Sequence, residues 1–285
     1  MIARAQLLVM LLALAVSPLT AGEMREQSMD SVALGRTWSY SVYLPDGYDG
    51  GSARYPVIYL LPGLSVRRGE WLELALPSLV DTAIADGATN MPIVVVPEIG
   101  ASWGIDGRER MQTALAEDLP DEIERRFRTI PGRGGRAIAG ISAGGFAALR
   151  LAMLRPDRYA AVAVLSPAIY VPEPPANSGA RRSAVFGEHD FDPAIWRALN
   201  YPALLPGFRA AGVSLPLYIG SGAADALGIA AHAIRLDAVW RESGMTAQLH
   251  LIDGGHTYAV WRALLAEALV FLLRCTDPAT VATGR

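Results

Sequence analysis

Cysteine is nearly missing from this chain of 285 residues, with Cys275 standing alone, so no disulfide can close within it and stability has to come from an apolar core. Cys275 itself, beside the last apolar helical run, reads as a small buried residue rather than a nucleophile. A large surplus of one charge is lacking too. A net charge of −3 without a basic stripe leaves nothing to neutralise phosphates, which excludes nucleic acid as a partner. Internal repeats and low-complexity tracts are lacking, which excludes solenoids and arrays. No apolar run reaches membrane length. The ten-residue block Leu7 to Val16 follows Arg4 and leads through Ser17-Pro18 to small residues ending at Ala21-Gly22. That is the build of a secretory signal peptide over residues 1–22, with an uncleaved anchor as the alternative. The mature chain is expected to be secreted or periplasmic, with no stable membrane span.

What is present is apolar bulk. At 52% apolar and 19% charged, residues 23–285 are enough to bury one large core, so a single domain is expected. The stretch "TWSYSVYL" (37–44) alternates as an edge strand does, whereas "PVIYLL", "PIVVVP", "AVAVLS" and "LPLYIG" are continuous apolar runs, the habit of strands buried on both faces. Helical patterns lie between them at 77–86, 109–127 with a break near Pro120, 143–154, 226–243 and 257–273. Alternation of strand and helix predicts a mostly parallel central sheet with helices on both faces, its chemistry at the carboxyl ends of the strands. Residues 167–210 interrupt the rhythm with seven prolines and read as an excursion over that site, its Tyr170, Phe186, Phe191 and Trp196 offering an aromatic lining or, as the alternative, packing the excursion onto the sheet.

A nucleophile is suggested by Gly140-Ile141-Ser142-Ala143-Gly144, which fits G-x-S-x-G. The pattern alone is weak, because Gly100-Ala101-Ser102-Trp103-Gly104 fits it as well. Context separates the two. An elbow needs a strand running into the serine and a helix running out of it; Ser142 has both, while Ser102 lies in Gly-rich loop beyond its strand.

A serine hydroxyl needs a base to take its proton, and the base needs an acid to hold its tautomer. Of four histidines, only His256 follows a strand end through Gly-Gly and heads a helix, with a cap of that helix as its alternative role. Asp225, in the loop after "LPLYIG", is the matching acid, with an N-cap role as its alternative. The order Ser142, Asp225, His256 suits an acyl-transfer triad. The oxyanion donors are expected to be the amides of Ala143, just after the serine, and Leu64, after the turn Pro62-Gly63.

At this point the chain resembles a family. "YSVYLPDGY", "PVIYLLPGLS", "VVVPEIGASW", "GISAGG", the Asp225 loop and "GGHTYAVW" are similar to the esterase D-like branch of the α/β-hydrolases, which includes feruloyl and acetyl-xylan esterases, enterochelin esterases, S-formylglutathione hydrolases and secreted mycolyltransferases. The resemblance runs from about residue 35 to 273. It implies the α/β-hydrolase fold and a serine esterase working through an acyl-enzyme on a small-molecule ester, without metal or organic cofactor. Tyr258 and Trp103 are the residues expected to touch substrate. Pro62-Gly63 departs from the His-Gly or Asp-Gly of many members, and Tyr258 stands where Trp is frequent. Short-chain or aromatic acyl esters are the expected substrates. A secreted acyltransferase with the same triad, or a non-catalytic binding protein on a hydrolase scaffold, is the alternative; the oligomeric state is left open.

Overall fold

The structure, a computed structural model, describes residues 22–64, 69–85 and 91–276. Eight strands form one sheet: β1 (Glu23–Ser31), β2 (Arg36–Leu44), β3 (Val57–Leu61), β4 (Ile93–Pro97), β5 (Arg136–Ile141), β6 (Val162–Leu165), β7 (Leu217–Gly222) and β8 (Ala247–Ile252). Their spatial order is β1-β2-β4-β3-β5-β6-β7-β8. From β4 to β8 all neighbours are parallel, and the β1–β2 hairpin adds antiparallel to β4. The expected signal segment lies outside the described residues apart from Gly22.

The helices are α1 (Glu70–Glu73), α2 (Leu76–Ala85), α3 (Met111–Thr113), α4 (Leu119–Arg126), α5 (Ala143–Leu154), α6 (Pro193–Leu199), α7 (Tyr201–Ala210), α8 (Ile229–Glu242) and α9 (Tyr258–Cys275). Successive strand residues point to opposite faces, and the two faces make two cores. Tyr59, Leu61, Val95 and Ile138 pack with α3, α4, α5, α8 and the excursion. Ile58, Leu60, Val94 and Ala139 pack with α2 and α9. Every residue of β3, β4, β5, β6 and β7 is buried, including Arg136 at the start of β5, which pairs with Glu124, and Ser221 in β7.

Three expectations change. The strand expected at the sheet edge, 37–44, is second from it, because polar Glu23–Ser31 pairs with it over nine residues; edge position and a long antiparallel ladder override a composition poor in strand formers. Pro120 does not break its helix. A π-helical turn, Ala114–Asp118, precedes it, and the Leu119 amide bonds back to Ala114 O, so the wider turn absorbs the hydrogen bond that proline cannot donate. The helix expected from 226 starts at Ile229, after Gly228 at φ +70°.

The excursion is tied down rather than draped. Trp196 Nε1 and Asn200 Nδ2 both donate to Tyr170 O, at 3.1 and 2.7 Å. Arg150, on α5, donates to Leu199 O and, at 2.8 Å, to Gln112 Oε1, and burial pushes its pKa down to about 10.

Candidate active site

The chain reverses its direction of winding between β3 and β5, which is where an open α/β sheet leaves a crevice at its carboxyl edge. Ser142 sits there, between β5 and α5, at φ +54° and ψ −114°. Such a backbone costs a non-glycine residue of order 1–3 kcal/mol and persists only when its surroundings insist on it. Here they do. The Ser142 amide donates to Leu165 O at 2.9 Å, and Ser142 O accepts from Phe146 N at 3.1 Å and Ala168 N at 3.0 Å.

The flanking glycines are a matter of space. A Cβ on Gly140 would lie 2.1 Å from Gly144 O, and one on Gly144 would lie 2.2 Å from Leu61 O and 2.3 Å from Pro62 O. The first turn of α5 therefore rests directly on the end of β3. Gly144→Ala is expected to lower stability by about 2–3 kcal/mol through overpacking, read as a shifted urea midpoint. Gly207→Ala, in α7 with no atom within 4 Å of the new methyl, is the control and should be neutral or slightly stabilising.

Asp225 and His256 arrive from β7 and β8, whose following loops are pressed together. A Cβ on Gly222 would meet Gly254 O at 2.5 Å and Gly255 O at 2.7 Å, and Ala224 N donates to Gly254 O at 2.9 Å. The consequence is a continuous hydrogen-bonded line. His256 Nδ1 lies 2.8 Å from Asp225 Oδ2, and His256 Nε2 lies 3.0 Å from Ser142 Oγ. The Asp225 side chain is fully buried and that of His256 is 22% exposed, so the carboxylate is sealed while the imidazole keeps one side open. The second carboxylate oxygen, Oδ1, accepts from Leu227 N at 2.9 Å. Both oxygens are thus partnered, as a buried carboxylate requires.

The alternatives for these residues fall away. Asp225 does not cap α8, whose N-cap is Gly228. His256 does not cap α9 either, because the side chain of Thr257 does. Ser102 Oγ is occupied locally, donating to Ile99 O at 2.6 Å and accepting from Gly104 N at 3.1 Å.

Ala143 opens α5, and the first amides of a helix have no acceptor within it. Leu64 lies in the turn after β3, and a Cβ on Gly179 of the excursion would meet its Cδ2 at 2.5 Å. Tyr258, the first residue of α9, is partly buried two residues beyond the histidine.

Two expectations about substrate contact are corrected. Trp103 is only 2% exposed; it meets Phe146, Phe186 and Trp196 edge-on at 5.6, 5.1 and 6.4 Å, so it fills core between α5 and the excursion. Tyr170, Phe186 and Trp196 are wholly buried as well, and Phe191, partly buried, lies under the Arg181 guanidinium at 4.2 Å. Large rings gain most from complete burial, and the excursion uses them to fasten itself. Cys275 is partly rather than fully buried, and that burial pushes its thiol up to about 11.

One aromatic was missed: Trp261, whose ring stands against that of His256. Its signal was the helical spacing of three from Tyr258, which puts both on one face of α9. Among the described residues, no three His, Cys, Asp or Glu side chains converge where a metal ion could be held, and no helix is long and apolar enough to cross a membrane.

Known proteins are similar to this chain to different degrees. The family model described as "Putative esterase" matches residues 31–272. An endo-1,4-beta-xylanase/feruloyl esterase of Xylanibacter ruminicola is 30% identical over 164 residues, 53% of this chain and 22% of that protein. An uncharacterized protein of Corynebacterium glutamicum is 27% identical over 239 residues, 79% of this chain and 54% of that protein. The chain thus spans about half the length, or less, of these curated relatives. Among solved structures, a ferulic acid esterase superposes with a TM-score of 0.74 at 23% identity, over 90% of this chain and 99% of that one. An S-formylglutathione hydrolase from Agrobacterium tumefaciens superposes with a TM-score of 0.71 at 19% identity, over 90% and 96%. At such identities the likeness is one of fold, the α/β-hydrolase fold. The family match extends over most of the sequence, from β1 into α9, and the chain belongs to the esterase family.

Proposed function

We propose that the protein is a serine carboxylic-ester hydrolase. The observation that carries this reading is the line from Asp225 Oδ2 through His256 to Ser142 Oγ, at 2.8 and 3.0 Å, in a chain of the esterase family. Asp225 holds His256 with its proton on Nδ1, which leaves Nε2 free to accept the Ser142 proton. Ser142 Oγ then bonds to the ester carbonyl carbon, and the carbonyl oxygen takes the negative charge. The Ala143 and Leu64 amides are the donors assigned to that oxygen. When the intermediate collapses, the bond to the alcohol oxygen breaks, and His256 gives its proton to the departing alcohol. Water repeats the sequence on the acyl-enzyme, returning the acid and the free serine.

The acyl group is assigned to the short-chain or aromatic class. Trp103, Phe146, Phe186 and Trp196 fill the space between α5 and the excursion, with ring centroids 4.8 to 6.4 Å apart, which supports a short acyl group on that side. In a series of nitrophenyl esters from acetate to palmitate, kcat/KM is expected to peak among the short acyl groups. A maximum at palmitate would refute the assignment. Product masses with acceptor alcohols present distinguish hydrolysis from transfer, and fluorophosphonate labelling distinguishes either from a non-catalytic scaffold. The apolar block Leu7–Val16 supports export, which an intact mass starting near residues 22–25 would test.

A further inference from the structure

The loop that delivers His256 is held through its backbone, by bonds from Ala223 N to Ile252 O, Ala224 N to Gly254 O and Thr257 N to Gly255 O. Gly254, at φ +124°, and Gly255 precede the histidine, and residues without a Cβ leave the backbone its greatest freedom. Backbone bonds place the Cα of His256 but not the plane of its ring, whose orientation comes from what the ring touches. The bonds to Asp225 and Ser142 both end on ring nitrogens. They define an axis across the imidazole and resist rocking about that axis only weakly.

Trp261 supplies the third contact. Its ring is perpendicular to the imidazole, at 89° with centroids 4.9 Å apart. It is 8% exposed, its amide donates to Thr257 O at 3.0 Å, and Tyr258 braces the same ring edge-on at 5.0 Å. The indole N–H has no acceptor among the described residues, although buried indoles usually find one. Leaving it unpaired costs about 1–3 kcal/mol, so the aromatic contact, not a hydrogen bond, sets where this ring lies.

We propose that Trp261 is a positioning residue for the catalytic base, a fixed wall that holds the imidazole plane so that Nε2 stays aligned on Ser142 Oγ through both proton transfers. The inference rests on the reading of His256 as the base, and the test keeps the two apart. Turnover of nitrophenyl acetate is measured for the full chain as wild type, Trp261→Leu and Trp261→Phe, and for Trp261→Leu in a His256→Ala background, with thermal melts to confirm folding. Trp261→Leu is expected to lower kcat on the order of 10²-fold, the penalty of an ångström-scale misplacement. KM should stay within about twofold, because substrate binding is not what is lost. Trp261→Phe keeps a ring and should recover most of kcat. In the His256→Ala background the leucine substitution should change the residual rate by less than about twofold, since it no longer has a base to position. An unchanged kcat in Trp261→Leu, or an equal loss without His256, would overturn the proposal. If Trp261→Leu is too unstable to purify, Trp261→Met carries the same comparison. His256→Ala retaining full turnover would instead sink the base assignment itself.

Discussion

Turnover by Ser142→Ala is expected to fall on the order of 10⁶-fold, as losing the nucleophile of an interdependent triad does, and covalent labelling by a fluorophosphonate should vanish with it. The protein should still fold. Oγ of Ser142 contacts His256 but supports neither the elbow nor the helix; those rest on the backbone bonds to Leu165, Phe146 and Ala168. Relief of a buried hydroxyl is no part of the effect, since Ser142 is partly open to solvent. The paired variant Ser102→Ala removes the other serine of G-x-S-x-G form. It should leave labelling intact and cost about 1 kcal/mol of stability, because its hydroxyl bonds Ile99 O and Gly104 N within one loop. Labelling that follows Ser102 would overturn the site.

His256→Ala should cost about as much as Ser142→Ala, since a base and its nucleophile act as a unit and their losses do not add. Asp225→Asn should cost less, on the order of 10⁴-fold in kcat, because the ring keeps its place but its tautomer is no longer held. The geometry sharpens this. The Asp225 side chain is fully buried, with one oxygen on His256 and the other on the Leu227 amide. If the amide oxygen of asparagine faces Leu227, its NH2 faces Nδ1 and forces the proton onto Nε2, the wrong nitrogen for a base. Asp253→Asn is the control. Its residue is exposed, and a large loss there with none at Asp225 would reassign the acid.

Several parts of the site were legible because local chemistry dictates them. A serine between glycines at a strand-to-helix junction signals a turn too tight for side chains, and a Cβ added at Gly140 or Gly144 would come within 2.1 to 2.3 Å of backbone oxygens, which shows how tight. The histidine and aspartate were legible through order along the chain, since parallel strands bring their loops to one edge. The aromatics were not. Trp103, Phe186 and Trp196 have the composition of a binding surface, and only packing tells a ring that faces substrate from one that faces other rings. Trp261 is the reverse case, an apolar helix residue in sequence that tertiary structure sets against the ring of His256.

The sequence by itself determined the parallel core, because runs such as Val57–Leu61 and Ile93–Pro97 have no polar face to offer water, and it determined the order serine, aspartate, histidine. Only the tertiary structure decided the outer strand Glu23–Ser31, whose polar residues are held by a ladder rather than by propensity. It alone decided that the helix of residues 111–126 passes Pro120 by widening a turn, and that the excursion spends its rings on anchoring. The physical reason is common to all three. Periodicity and turn chemistry act over a few neighbouring residues and are written in them, whereas pairing at an edge and burial of a ring depend on which distant surface arrives, and that is fixed only when the whole sheet has closed around them.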